Sequence, residues 1–230
     1  MEAFRLLILG LEAAYREMEG IFASNGLSGL ELPPDDVHLR EGVDRRYIEC
    51  FSHKVLPFEL RATTAAVWEH FKGVEKHFGG GNLYTKEAKD LAEPYTIIEN
   101  FTKELYSNDS RADVKVKQVV RRYVERDHDI VIWVARVAPA QIKHKMLRGL
   151  TYTLRGYAVT KRSQAAGQEV SVLQQCSIIS FDRDAGTRCS PTKLDTLMNF
   201  LVVNSAQNIR CHRERIEDTL VDQVVGRRLH

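Results

Sequence analysis

Long apolar runs are absent from this chain, and so is any strong excess of one charge. The N-terminal run Leu6 to Gly10 is too short to cross a bilayer and is followed at once by Glu12, Arg16, Glu17 and Glu19. It has neither a basic leader nor a small-residue cleavage site, so a cytoplasmic protein, or a nuclear one, is expected. With 33 basic and 31 acidic residues the net charge is only +2, which gives no whole-chain attraction to nucleic acid or to an anionic membrane. Direct nucleic-acid binding is not expected. The four cysteines, Cys50, Cys176, Cys189 and Cys211, are widely spaced and include no CxxC pair, so reduced thiols are expected.

Several chemical signatures are missing too. His70 and His77 lie seven apart without an HExxH or a matching carboxylate, so they read as surface histidines. Gly79, Gly80 and Gly81 follow a helix and are not followed by Gly-Lys-Ser/Thr, so they read as a turn and not as a phosphate loop. No metal, cofactor or catalytic acid–base group is nominated, and a non-enzymatic protein is expected.

What is present suits a folded protein of 230 residues, 43% hydrophobic and 28% charged. The longest periodic stretch is near the end. From Ser190, a candidate cap, through Pro191 to a glycine stop at Gly226, the apolar residues Leu194, Leu197, Met198, Leu201, Val202, Ile209, Ile216, Leu220 and Val224 wind into one stripe of a long helix. At the other end Phe4, Ile8, Leu11, Tyr15, Met18 and Phe22 have heptad-like spacing, which predicts an amphipathic helix over 1–24. Docking on its own domain is the favoured use of that stripe, and pairing with a second copy or a partner helix is the alternative. Residues 25–44, with Gly26, Gly29, Pro33 and Pro34, read as a linker.

Between these ends, Arg46 to Leu60 is rich in β-formers, and Thr63 to Phe78 returns to helical spacing with Thr63 or Thr64 as its cap. Strand-like segments then follow at Tyr95–Ser107, Ala112–Arg126, Ile130–Pro139, Leu150–Arg162 and Glu169–Asp182. Turns at Asn108-Asp109-Ser110, Asp127-His128-Asp129 and Ala166-Gly167 separate them, and such short connections imply antiparallel pairing. The fold class is α+β: a curved antiparallel sheet around a long C-terminal helix, with an extra N-terminal helix.

The order resembles the START-like, helix-grip fold, the group of the steroidogenic-acute-regulatory-related lipid-transfer domains and the Bet v 1-like pollen allergens. The matching residues are Ala62 to Phe71 (ATTAAVWEHF), Val120 to Asp127 (VRRYVERD), Ile130 to Trp133 (IVIW), Gly149-Leu150 and Gly156-Tyr157. In these it is similar to START-like domains abundant in oomycetes. The resemblance covers about Arg45 to Val225, and divides the chain into the helix 1–24, the linker 25–44, a START-like domain 45–226 and a tail 227–230. It implies a cavity between sheet and helix for a hydrophobic ligand, lipid or sterol-like, with transient membrane contact if the ligand is transferred. An interaction or regulatory domain with a filled cavity is the other reading.

The candidate lining comes from reading faces. Alternation puts Arg136 among the apolar residues of Ile130–Ala138, Tyr152 and Leu154 on one face of their strand, and Gln174 and Cys176 on one face of theirs. The helix contributes Leu197, Leu201, Ser205 and Ile209 as its sheet-facing row. Arg136 reads as a headgroup ligand if buried, and as a solvated or ion-paired strand residue otherwise.

Overall fold

The computed structural model describes residues 2–28, 37–41, 47–77, 81–91, 93, 95–108, 110–142, 145–146, 150–163, 170–181 and 191–228. Ser190, Phe78, Gly79, Gly80, Asp109, Gly149, Ala166, Gly167, Asp182 and Cys189 lie outside them. In chain order come α1 (Glu2–Ser24), β1 (Val37–Glu41), β2 (Tyr47–Leu56), α2 (Leu60–Lys72) and a 3-10 turn (Glu75–His77). The strands β3 (Leu83–Asp90), β4 (Thr96–Ser107), β5 (Ser110–Val124), β6 (His128–Ile142), β7 (Lys145–Met146), β8 (Tyr152–Arg162) and β9 (Ser171–Phe181) follow, then α3 (Pro191–Arg228).

All strand pairs are antiparallel, in the order β1-β2-β9-β8-β6-β5-β4-β3, with β7 pairing the end of β6. Hairpins account for most of these neighbours. The exception is β2, which pairs with β9 across most of the chain, Phe51 opposite Cys176. With α3 and α2 packed on one side of this sheet, the chain has the helix-grip fold.

Each face of the sheet has its own apolar set. On β6, Ile130, Ile132 and Val134 join the α1 cluster, while Val131, Trp133, Ala135 and Val137 belong to the α2 and α3 side. A central strand covered twice needs apolar residues at every position, which is why alternation is invisible there. Trp133 lies across β8 because its neighbour is Gly156: a Cβ at that position would come within 1.9 Å of the indole.

Helix α1 is docked on this sheet through Leu7, Leu11, Ala14, Met18 and Phe22, so the heptad-like stripe is used within the chain. Tyr15 stacks on Tyr123 at 4.4 Å and donates to Glu125. Arg121 pairs with Glu12 and Arg155 with Glu17, each at 2.5 Å. The next turn is also tied down: Asn25 Nδ2 donates to Glu49 at 3.2 Å, and the Gln174 amide donates to the Leu27 carbonyl.

Several boundaries differ from those read in the sequence. The stretch 25–44 contains the strand β1, paired with β2 from Val37 opposite Ser52 to Glu41 opposite Ile48. Strand β3 was not foreseen; it has a charged, exposed composition around Lys86, Glu87, Lys89 and Asp90, as an edge strand does. Helix α2 starts at Leu60, so Thr63 and Thr64 lie inside it, and Thr63 Oγ1 instead shares a 2.7 Å hydrogen bond with Ser171 Oγ. Gly226 does not stop α3, whose 38 residues continue through it to Arg228. The last turns are exposed, and Gly226 keeps a helical backbone within them. Gly81 fits the turn reading, with φ of +141°.

Candidate functional site

Between the sheet and α3 lies a cavity of about 120 Å³. The helix supplies Leu201, Asn204, Ser205, Asn208, Ile209 and His212, the positions i, i+3, i+4, i+7, i+8 and i+11 that keep to one side of α3. Facing them are Phe101, Lys103 and Leu105 on β4, Val114, Val116 and Gln118 on β5, and Trp133 and Val137 on β6. Tyr152 and Leu154 on β8 and Ser177 and Ile179 on β9 complete the floor, while Phe71, Lys76 and His77 close one end.

The wall is thus mainly apolar with titratable groups gathered at the end under α2. The stacked rings of Phe71 and Trp133 are 4.6 Å apart, with His212 edge-on to Trp133 at 6.4 Å. His70 Nε2 and His212 Nδ1 are 2.9 Å apart, a hydrogen bond in which one ring donates and the other accepts. Burial lowers the pKa of His70 to about 4, helped by nearby Lys76 and Arg215. Burial holds His212 well below its ordinary value too, so the pair is neutral at pH 7.

Charge is handled next to it. Glu99 is fully buried and receives Lys76 at 2.8 Å, Lys86 at 2.7 Å and the Gln118 amide at 2.8 Å. The Lys76 ammonium also donates to the Phe71 carbonyl. Burial lowers the Lys76 pKa to about 8, with Glu99 opposing that shift. Lys103, buried one turn of pleat away from Phe101, donates to the His77 carbonyl at 3.0 Å. His77 stacks at a tilt on Phe101, 4.3 Å between centroids, and its Nε2 is buried without a hydrogen-bond partner.

Of the residues read as lining from sequence, the structure brings together Tyr152, Leu154, Leu201, Ser205 and Ile209. Four others are elsewhere. Arg136 is exposed on the α1 side of β6, where it lies 3.4 Å from Thr151 Oγ1. Gln174 and Cys176 face α1: Gln174 contacts Leu27 and His53, and Cys176 lies 3.9 Å from Glu49. Register decides this, because Leu154 is opposite Ile179 and Tyr157 opposite Cys176, and directly paired residues share a face. Leu197 is buried one turn beyond the cavity, in the core with Ile48 and Phe101.

The histidine reading is also corrected. His70 and His77 are buried, and His212 meets the cavity from α3. Their helices are brought together only by the tertiary fold. Lys103 and Glu99 had a legible signal: the inward face of β4 reads Ile97, Glu99, Phe101, Lys103, Leu105, two charges on an otherwise apolar row. Further along α3, Arg213 and Glu217, one helical turn apart, pair at 3.7 Å.

Among the described residues, no group of three His, Cys, Asp or Glu side chains is placed to hold a metal, and no helix is long and apolar enough to cross a membrane. Cys50 and Cys176 are buried thiols, and burial pushes that of Cys50 up to about 12.

No family model and no curated protein matches the chain. Solved structures do. The human StarD13 (DLC2) lipid transfer and protein localization domain aligns at 11% identity over 89% of this chain and 96% of that one, with a TM-score of 0.46. Human STARD10 aligns at 10% identity over 90% of this chain and 81% of that one, with a TM-score of 0.47. The Zhui aromatase/cyclase from Streptomyces sp. R1128 aligns at 12% identity over 81% and 96%, with a TM-score of 0.44. Likeness at this level assigns neither a ligand nor a site residue to this chain.

Proposed function

We propose that this protein binds a small hydrophobic molecule in the cavity between its sheet and α3, without transforming it. The observation that carries this reading is the cavity itself, an apolar space with a few convergent polar groups in an otherwise packed interior. Its volume of about 120 Å³ is below the range of roughly 300–1,000 Å³ typical for drug-sized ligands. It is closer to an apolar void of about 150 Å³ that admits a single benzene ring. A diacyl lipid would fit only if α3 lifted from the sheet, so the favoured ligands are single-ring or short-chain compounds.

Binding without catalysis is supported by how the polar wall is engaged: His70 and His212 bond each other, and Lys76 is held by Glu99. The alternative of a partner-binding module rested on the N-terminal stripe, whose main residues pack on the chain's own sheet. Native mass spectrometry of the gently purified protein, followed by uptake from a panel of fatty acids, alcohols and aromatic compounds, tests the proposal. The expected result is one bound molecule per chain. A protein that carries none and takes up none overturns it.

A further inference from the structure

The two charges on the inward face of β4 are treated unequally. Glu99 has three nitrogen donors around it. Lys103 has the carbonyl oxygen of His77 at 3.0 Å, and among the described residues no carboxylate pairs with it. An ammonium group has three N–H donors, so donors remain to be satisfied. On the same cavity wall, the buried Nε2 of His77 also lacks a partner.

Keeping an ammonium away from water without a countercharge costs several kcal/mol. Burial lowers the Lys103 pKa to about 8, which still leaves the side chain mostly protonated at pH 7. The Cys211 thiol is the neighbour that favours its charged form, and around His77 the positive groups of Lys76, Lys86 and Lys103 gather against the carboxylate of Glu99. The cavity end is therefore electropositive, while Phe71, Trp133 and Leu201 offer an apolar surface beside it.

We propose that the cavity takes a small amphipathic carboxylate, its oxygens accepting from the Lys103 ammonium and from His77 Nε2–H, and its apolar body lying against Phe71, Trp133 and Leu201. This rests on the cavity being a ligand site and adds the ligand's charge. A carboxylate supplies the missing acceptors and the missing negative charge together, and a neutral or cationic molecule supplies at most the first.

The test is calorimetric titration of the full chain with phenylacetate and its neutral isostere phenylacetamide, and with hexanoate and hexanamide. Charge-assisted hydrogen bonds predict that each acid binds about 10- to 100-fold tighter than its amide. In Lys103→Met the preference should collapse to about equal affinity while the amides still bind. Amides that bind the wild type as tightly as the acids would overturn the carboxylate and leave the cavity reading intact. A preference that survives in Lys103→Met would overturn the role of Lys103. If none of the four probes binds, the cavity reading fails and the inference goes with it. The wild-type comparison decides the ligand charge even if the variant does not fold, and Lys103→Gln serves as a second neutral variant.

Discussion

The two faces of the sheet are built from the same strands yet treat polar groups in opposite ways. On the α1 face the pairs Arg121 to Glu12 and Arg155 to Glu17 lie at the margin, around an apolar centre of Leu11, Ala14, Ile132 and Val134, and the buried Glu49 is met by Asn25 and Arg40 away from any open space. On the α3 face the charges are inside: Glu99, Lys76 and Lys103 lie among Phe71, Phe101 and Trp133, next to open space. Exposed ion pairs contribute about 0–1 kcal/mol, whereas interior charge is costly unless something satisfies it. The first face has the character of a structural support and the second that of a site.

Truncation should separate the two faces most strongly. Leu11 is completely buried against the sheet, so Leu11→Ala should cost about 2–5 kcal/mol in urea unfolding. Leu201→Ala removes the same atoms beside a cavity that already exists, so its cost should fall at the low end of that range while probe capacity rises. Equal losses would erase the distinction.

Addition is the gentler test. Ala14→Phe on the packed face should cost about 1–3 kcal/mol through overpacking. Val116→Phe has the cavity to grow into, so it should stay within about 1 kcal/mol and abolish uptake of small aromatic compounds. A Val116→Phe protein that unfolds as readily as Ala14→Phe would show that the open space is unavailable to side chains.

The smallest expected effect is a difference in pH response. Because the folded-state pKa of His70 is lowered to about 4 from an ordinary 6.5, the unfolded chain binds its proton first as pH falls. The stability from keeping this ring neutral is complete above pH 6.5 and is lost as pH drops towards 4. Denaturation midpoints at pH 7.5 and 5 should therefore fall less in His70→Gln than in the wild type. Identical slopes would sink that assignment.

Much of the architecture was legible because most long elements carry a periodic pattern and β6, apolar on both faces, is rich in β-formers and preceded by a turn signal. The helices α1 and α3 and the strands β4 to β9, apart from the two-residue β7, lie within a few residues of where these signals place them. What failed to show follows from tertiary causes. Edge strands such as β3 need no apolar face, so Lys86, Glu87, Lys89 and Asp90 gave no alternation to read. The inward face of β9 depends on which residue meets Leu154, and one step of register exchanges Cys176 for Ser177. His70 and His212 are 142 residues apart in the chain, and neither has a local pattern that announces the other. Lys103 was within reach, since a lysine between Phe101 and Leu105 on an inward row already poses the question of its countercharge.

The position of β2 between β1 and β9 has a bearing on how the chain is made. Residues 47–56 leave the ribosome more than a hundred residues ahead of their partner strand, residues 171–181. Hairpins β3 to β8 can close as they are synthesised, while β2 and the edge strand β1 must wait for a neighbour more than a hundred residues downstream. The roof of the cavity, α3, comes later still. A nascent chain therefore has no roofed cavity until α3 lands on the sheet.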